Sequence, residues 1–235
     1  MALNNEIIDC NQCKNADCLV KLCDETWLYL VNKKKNQKLF RRGQHVFLEG
    51  NPVFGVFFIQ QGKVKVTCSN FDGKKQIVRL ASDGHILGHR GYTGETYPID
   101  AFTLEDSRIC FFDNQTLYEA FVANPEFTIK MMMFYSKELR KSEQRTKFFA
   151  QMTVEEKIIF ALLYIVSTFG FNKNVNILLS RQEIAEVAGT NAQQVSRTLT
   201  LLNLQHLIKI QGRKILLSDY ESLKNRIARY NVGLF

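Results

Sequence analysis

Four cysteines crowd the start of this 235-residue chain, Cys10, Cys13, Cys18 and Cys23, in the pattern C-x2-C-x4-C-x4-C. Thiolates are soft ligands that hold tetrahedral zinc or the irons of an iron–sulfur cluster, and a pair two residues apart grips one centre. In a reducing compartment clustered thiols serve as ligands more often than as disulfides. The start MALNNEIIDC has neither the basic residues nor the apolar run of a secretion signal, so a cytoplasmic setting is expected. Bound metal and an unligated set of redox thiols both fit this spacing. Cys68 lies in a strand-like run and reads as a small core residue. Cys110, beside Ile109, Phe111 and Phe112, reads the same way when taken alone. His85 and His89 stand four apart, a spacing open to a metal or haem, but in a glycine-rich turn rather than on a helix.

A second set of residues carries the chemistry of reading DNA, within SRQEIAEVAGTNAQQVSRTLTLLNLQHLIKIQG, residues 180–212. Ser180 and Glu183 form a capping box that opens a short helix, Ile184 and Val187 face inward, and Ala185 is small enough for two helices to cross closely. Gly189 permits the sharp turn into a second helix, from about Asn191 to Leu204, with Val195, Leu199 and Leu202 inward. That leaves Gln193, Gln194, Ser196 and Arg197 outward, near the end that enters a major groove. Arg197 can bond bidentately to guanine and Gln193 to adenine, which makes these two the candidates for sequence reading. Ser180, Arg181 and Gln182 sit at a helix N-terminus suited to a phosphate, a positioning role.

These residues need elements to place them. Over residues 40–112 short β-branched and aromatic runs alternate with glycines, the cadence of a small antiparallel barrel or jelly roll. From Asn124, read as an N-cap before Pro125, the chain turns helical with no Gly or Pro until after Phe169. Met131, Met132, Tyr135, Leu139 and Phe149 mark a stripe near a 3.5 repeat, the pattern of a two-helix dimer seam, made polar and basic by Arg140, Lys141, Arg145 and Lys147. Thr153 and Glu156 box the start of the next helix and Gly170 ends it. NVNILLS reads as a strand, and LIKIQGRKILLSD as a hairpin about Gly212. The expected architecture is α+β: a Cys-rich segment over 1–25, an antiparallel β-roll over 26–123, a long dimerisation helix over 124–150 and a winged helix-turn-helix over 151–235.

Composition narrows the function. Lys and Arg number 31 against 23 Asp and Glu, a net charge of +8, which suits a polyanionic partner. The longest apolar runs fall short of the roughly 20 residues that cross a bilayer, so no membrane partner is expected. The four histidines are scattered, and no paired carboxylates, Ser/His/Asp set or Walker-type loop appears, so an enzyme is not expected.

LSRQEIAEVAGTNAQQVSRTL, QQGKVKV and DGHILG together resemble the CRP/FNR family of bacterial transcription regulators, from about residue 26 onward. The resemblance implies a cyclic-nucleotide-binding-like roll and a homodimer on palindromic double-stranded DNA with half-sites roughly 34–36 Å apart. It also implies RNA polymerase as a partner. Cyclic-nucleotide-binding members carry a Gly-Glu pair and a later Arg-Ser or Arg-Thr-Ala. GHILGHRGYTGETYPIDAFTL lacks that Glu and has Pro98, Ile99 and Asp100 near the Arg place, where a carboxylate repels a cyclic phosphate. This argues against cyclic AMP, and against a cyclic-nucleotide signalling module that never touches DNA. The redox branch of the family is similar in its N-terminal cysteines and in one more within LEDSRICFFDNQTLYEAF, here Cys110. It implies a [4Fe–4S] cluster, sensitive to oxygen or nitric oxide, on Cys110 and three of the four N-terminal cysteines. Cys10, Cys13 and Cys18 are favoured with Cys23 as substitute, and the departure in spacing leaves the choice of three open. Haem, zinc, redox thiols and another small molecule stand as alternative sensors. Members of that branch place Glu, then Ser-Arg, along the reading helix; here Gln193 replaces the Glu while Ser196 and Arg197 match, so a different half-site base is expected.

Overall fold

Short strands turned by glycines fold back on one another in the computed structural model, which describes residues 7–16, 18–69, 73–91, 94–170, 177, 179–212 and 214–230. Two compact units divide the chain: Met1–Cys68 with Leu80–Leu139, and Ser69–Arg79 with Arg140–Phe235. The fold is α+β, with a β-roll, a long helix and a helix-turn-helix followed by a hairpin.

The roll contains β1 (Asn36–Phe40), β2 (His45–Phe47), β3 (Gly55–Gln61), β4 (Val64–Ser69), β5 (Lys75–Ala81), β6 (Ile86–Leu87), β7 (Asp100–Thr103) and β8 (Ser107–Asp113). They form two four-stranded sheets, in the orders β1-β8-β3-β6 and β2-β7-β4-β5. Glycine is required where β3 begins against β8: a Cβ on Gly55 would stand 2.0 Å from the Phe112 carbonyl oxygen. Three helices flank these strands, α1 (Glu25–Lys34), α2 (Asn114–Ala123) and α3 (Pro125–Gln151). The sequence reading did not separate α1 and α2 from the roll.

One core of this unit joins the cysteine segment to the start of α3. Val20, Cys23, Val31, Phe58, Phe112, Leu117, Phe127 and Met131 are buried together in it. Pro125 occupies the first position of α3 as expected, while the Asn124 side chain, read as its cap, bonds to Asp24 and Ala120. It is 5% exposed; its amide donates to the Ala120 carbonyl and its oxygen accepts from the Asp24 N–H. The residue before α3 is thereby tied to the residue after Cys23.

Part of the expected stripe on α3 is taken up by neighbouring side chains. Met131 points into its own core, while Ile129, Met132 and Leu139 are exposed, a 3-then-7 spacing along one face. Phe149 stacks edge-on against Phe160. Arg145, read as part of a polar and basic seam, donates to the carbonyls of Ile77, Val78 and Val187, all within the second unit, and lies over the Phe149 ring. A stripe in sequence gives a face; the neighbouring core decides which residues it keeps.

The second unit holds α4 (Val154–Phe169), α5 (Arg181–Ala188), α6 (Ala192–Leu204), the hairpin β9 (Ile208–Gln211) and β10 (Lys214–Leu217), and α7 (Tyr220–Arg226). Both capping boxes form, Thr153 with Glu156 and Ser180 with Glu183, and Gly170 ends α4. Most of the strand expected over NVNILLS lies outside the described residues; Ile177 is buried and donates to the Ile215 carbonyl.

Candidate cysteine pocket and nucleic-acid interface

Strand pairing brings Cys110 to the N-terminal thiols. In the antiparallel β1–β8 pair Gln37 stands opposite Cys110, and across β3 the partner is Phe58. The segment before α1 folds over this place, so that Cys10, Cys13, Cys18 and Cys110 line one pocket with Val20, Phe58, Ile59 and Phe112. Asn15 fastens the segment by donating to the carbonyls of Ile59 and Gln60, and Lys21 donates to the Cys13 carbonyl. Cys23 does not line the pocket; it is buried in the apolar core beside it. Cys68 lies in β4, also away from the pocket.

All six cysteines are free thiols. Burial pushes Cys18 up to about 12 and Cys23 to about 11, and it also raises Cys10 and Cys110. Against that burial, Lys35 favours the Cys10 thiolate by charge and hydrogen bond, and Gln37 favours that of Cys110 by hydrogen bond. Buried thiols held in the protonated form are poor nucleophiles, and a bound cation is what would displace their protons. Among the described residues no group of three or more His, Cys, Asp or Glu side chains is arranged to hold a single metal ion.

The polar residues around the pocket escaped the sequence reading. Asn32 and Lys35, at the end of α1, and Gln37, at the start of β1, all bond to the cysteine segment. Their roles depend on the β1–β8 register, and an Asn, Lys or Gln in a polar stretch gives no sign of it. Asp100, near the place of the family's phosphate-binding Arg, is buried and accepts from the Glu49 N–H.

The DNA-reading residues sit on the second unit's helix pair. Gly189 closes α5 in the left-handed region at φ 63°, and Asn191 caps α6 by accepting from the Gln194 N–H. Val195, Leu199 and Leu202 are buried, while Gln193 and Arg197 are exposed and Gln194 and Ser196 partly so. Several candidates already have work inside the fold. The Ser180 hydroxyl is engaged with Glu183, the Ser196 hydroxyl donates to the Ala192 carbonyl, and Gln182 donates to Glu186. Gln193 and Arg197 therefore remain the outward pair, with Arg181 half-exposed at the start of α5.

Comparison with known proteins follows this division. A family model described as a cyclic nucleotide-binding domain matches residues 37–124, and one described as a Crp-like helix-turn-helix domain matches residues 156–226. The transcriptional activator protein Anr of Pseudomonas aeruginosa is 27% identical over 189 residues, covering 79% of this chain and 78% of its own. The fumarate and nitrate reduction regulatory protein of Vibrio cholerae is 22% identical over 223 residues, 92% of this chain and 89% of its own. Among solved structures, FixK2 from Bradyrhizobium japonicum matches with a TM-score of 0.74 at 22% identity, over 81% of this chain and 96% of that one, a likeness of fold.

Proposed function

We propose that this chain, which belongs to the CRP/FNR family of DNA-binding transcription regulators, reads its site with α6 under the control of a [4Fe–4S] cluster held by Cys10, Cys13, Cys18 and Cys110. The observation that carries the reading is the pocket itself, where three thiols of one short segment meet a fourth from a strand nearly a hundred residues later. Their donor chemistry fits: thiolates are the usual ligands of such clusters, and the remaining lining combines apolar side chains with the cations Lys21 and Lys35. A single tetrahedral zinc needs its sulfurs at about 2.3 Å from one point, whereas a four-iron cluster takes one thiolate on each iron. Burial raises Cys10, Cys18 and Cys110, the opposite of what activates a redox thiol. When bound, the cluster supplies an iron–sulfur core that oxygen, nitric oxide or a change of redox state can alter.

The chain's own residues supply the coupling. Three of the ligating positions fasten the segment before α1 to β8, and that segment shares a core with Phe127 and Met131 of α3. Asn124 adds a direct tie between Asp24 and the residue preceding α3. A segment held or released at the pocket thus changes what supports the start of α3, where Ile129, Met132 and Leu139 offer a seam to a second copy. Regulators of this family bind DNA and function as dimers. A coupling of about 1–3 kcal/mol between pocket and seam is enough to shift DNA affinity several-fold or more. A palindromic site and RNA polymerase as a further partner complete the reading.

The test is DNA binding by protein prepared without oxygen, measured against salt before and after exposure to air. Exposure is expected to change affinity and the monomer–dimer balance together; no change in either overturns the switch. On the same DNA, Arg197→Ala is expected to cost about 1–3 kcal/mol at one base position and relax the preference there. Arg181→Ala should lower affinity evenly across sequences and reduce the salt slope by about one. If neither substitution alters binding, the reading surface lies elsewhere.

A further inference from the structure

Two nitrogen donors reach the sulfurs of the pocket. Gln37 Nε2 lies 3.3 Å from Cys110 Sγ, and Lys35 Nζ lies 3.5 Å from Cys10 Sγ. Neither donor is loosely placed. The Gln37 side-chain oxygen accepts from the Ile8 N–H at 2.9 Å, which fixes the orientation of the amide and turns its NH2 toward the sulfur. Lys35 also donates to the Ile8 carbonyl and, at 2.6 Å, to the Asn32 side-chain oxygen, which accepts from the Cys10 N–H as well. Both residues therefore hold the cysteine segment, and each faces one thiol of the pocket, Lys35 that of Cys10 and Gln37 that of Cys110.

We infer that Lys35 and Gln37 are positioning residues that tune the cluster, each donating a hydrogen bond to a ligand sulfur, Lys35 to Cys10 and Gln37 to Cys110. The inference rests on the cluster reading above and deepens it. Four thiolates bring concentrated negative charge into a pocket that Val20, Phe58, Ile59 and Phe112 line beside Lys21, Lys35 and Gln37, and such charge is tolerated where donors or an opposite charge answer it. Hydrogen bonds to sulfur and net charge are among the factors that set a cluster's reduction potential. They stabilise the more negative, reduced state, so these donors hold the potential higher than the bare pocket would. Lys35 lies between α1 and β1 and Gln37 two residues later in β1, where it is also the cross-strand partner of Cys110.

The experiment compares wild type with Lys35→Met and Gln37→Met, all loaded without oxygen, by redox titration of the loaded fraction and by the rate of absorbance loss in air. Both variants are expected to titrate at lower potential than wild type and to lose iron about 10-fold faster. Lys35→Arg, which keeps charge and donor, should stay near wild type. So should Lys38→Met, which removes a charge from an exposed position of the same strand outside the pocket. If a Met variant does not load, Gln37→Glu serves in its place: it keeps an acceptor for Ile8 and loses the donor to Cys110, and a lowered potential is again expected. Lower iron content with an unchanged potential in the loaded fraction would show mere anchoring and overturn the inference. Potentials and loss rates equal to wild type overturn it as well. A wild type that binds no iron overturns the cluster reading and this inference together, which separates the two failures.

Discussion

Single side chains in this protein carry more than one duty, and Glu156 shows how. It accepts from the Thr153 backbone and hydroxyl as the third residue of a capping box, accepts from Tyr230 and pairs with Arg229. Burial works against its charge, but these hydrogen bonds and the Arg229 cation outweigh it and hold the carboxyl below its usual range. A carboxyl lowered by folding adds stability above its unfolded value, about 4.3, and loses that contribution as pH falls through its lower folded value. Glu156→Ala is therefore expected to cost roughly 1–2 kcal/mol at pH 7, with the gap to wild type closing in acid, as read by urea denaturation at a series of pH values. A gap that widens in acid would contradict this account. Residues of this kind were legible from sequence, because a box needs only its own four positions. Gln37 and Asn124 were not: one acts through a cross-strand partner 73 positions away, the other through an N–H 100 positions away. No local pattern encodes such distances.

Among elements, α3 is where sequence and structure differ most usefully. Its start and length follow from Pro125 and the absence of later breakers, but the phase of its apolar face does not. The core of the first unit takes Phe127 and Met131, and residues of the second unit take Phe148 and Phe149, leaving Ile129, Met132 and Leu139 outward. Leu139 is 61% exposed in the single chain. Burying a leucine from each copy contributes about 1.5–3 kcal/mol per side chain. Leu139→Glu is then expected to raise the dimer dissociation constant about 100-fold or more in sedimentation at several concentrations, and to weaken DNA binding with it. An unchanged dimer would place the seam on another face. The helix-turn-helix was legible throughout, since the Ser180 box, the Gly189 turn and the buried Val195, Leu199 and Leu202 are all short-range features. The helix α1 was missed, because polar residues and lysines in ETWLYLVNKK hide an apolar face that only Val31 buries fully.

At the scale of the whole molecule, the first unit carries the cysteine pocket, the second carries the helix-turn-helix, and residues of α3 belong to both. The class of regulator was legible from motif and charge. The choice among the N-terminal cysteines, left open by their spacing with Cys10, Cys13 and Cys18 favoured, turns on topology: folding the segment over β8 puts those three beside Cys110 and leaves Cys23 in the neighbouring apolar core. The most direct measurement is iron and acid-labile sulfide in protein isolated without oxygen, for wild type and for each single Cys→Ser variant. The account predicts about four irons per chain in wild type, Cys23→Ser and Cys68→Ser, and their loss in Cys10→Ser, Cys13→Ser, Cys18→Ser and Cys110→Ser. Iron absent from wild type, or lost with Cys23 while one of the other four proves dispensable, would contradict it.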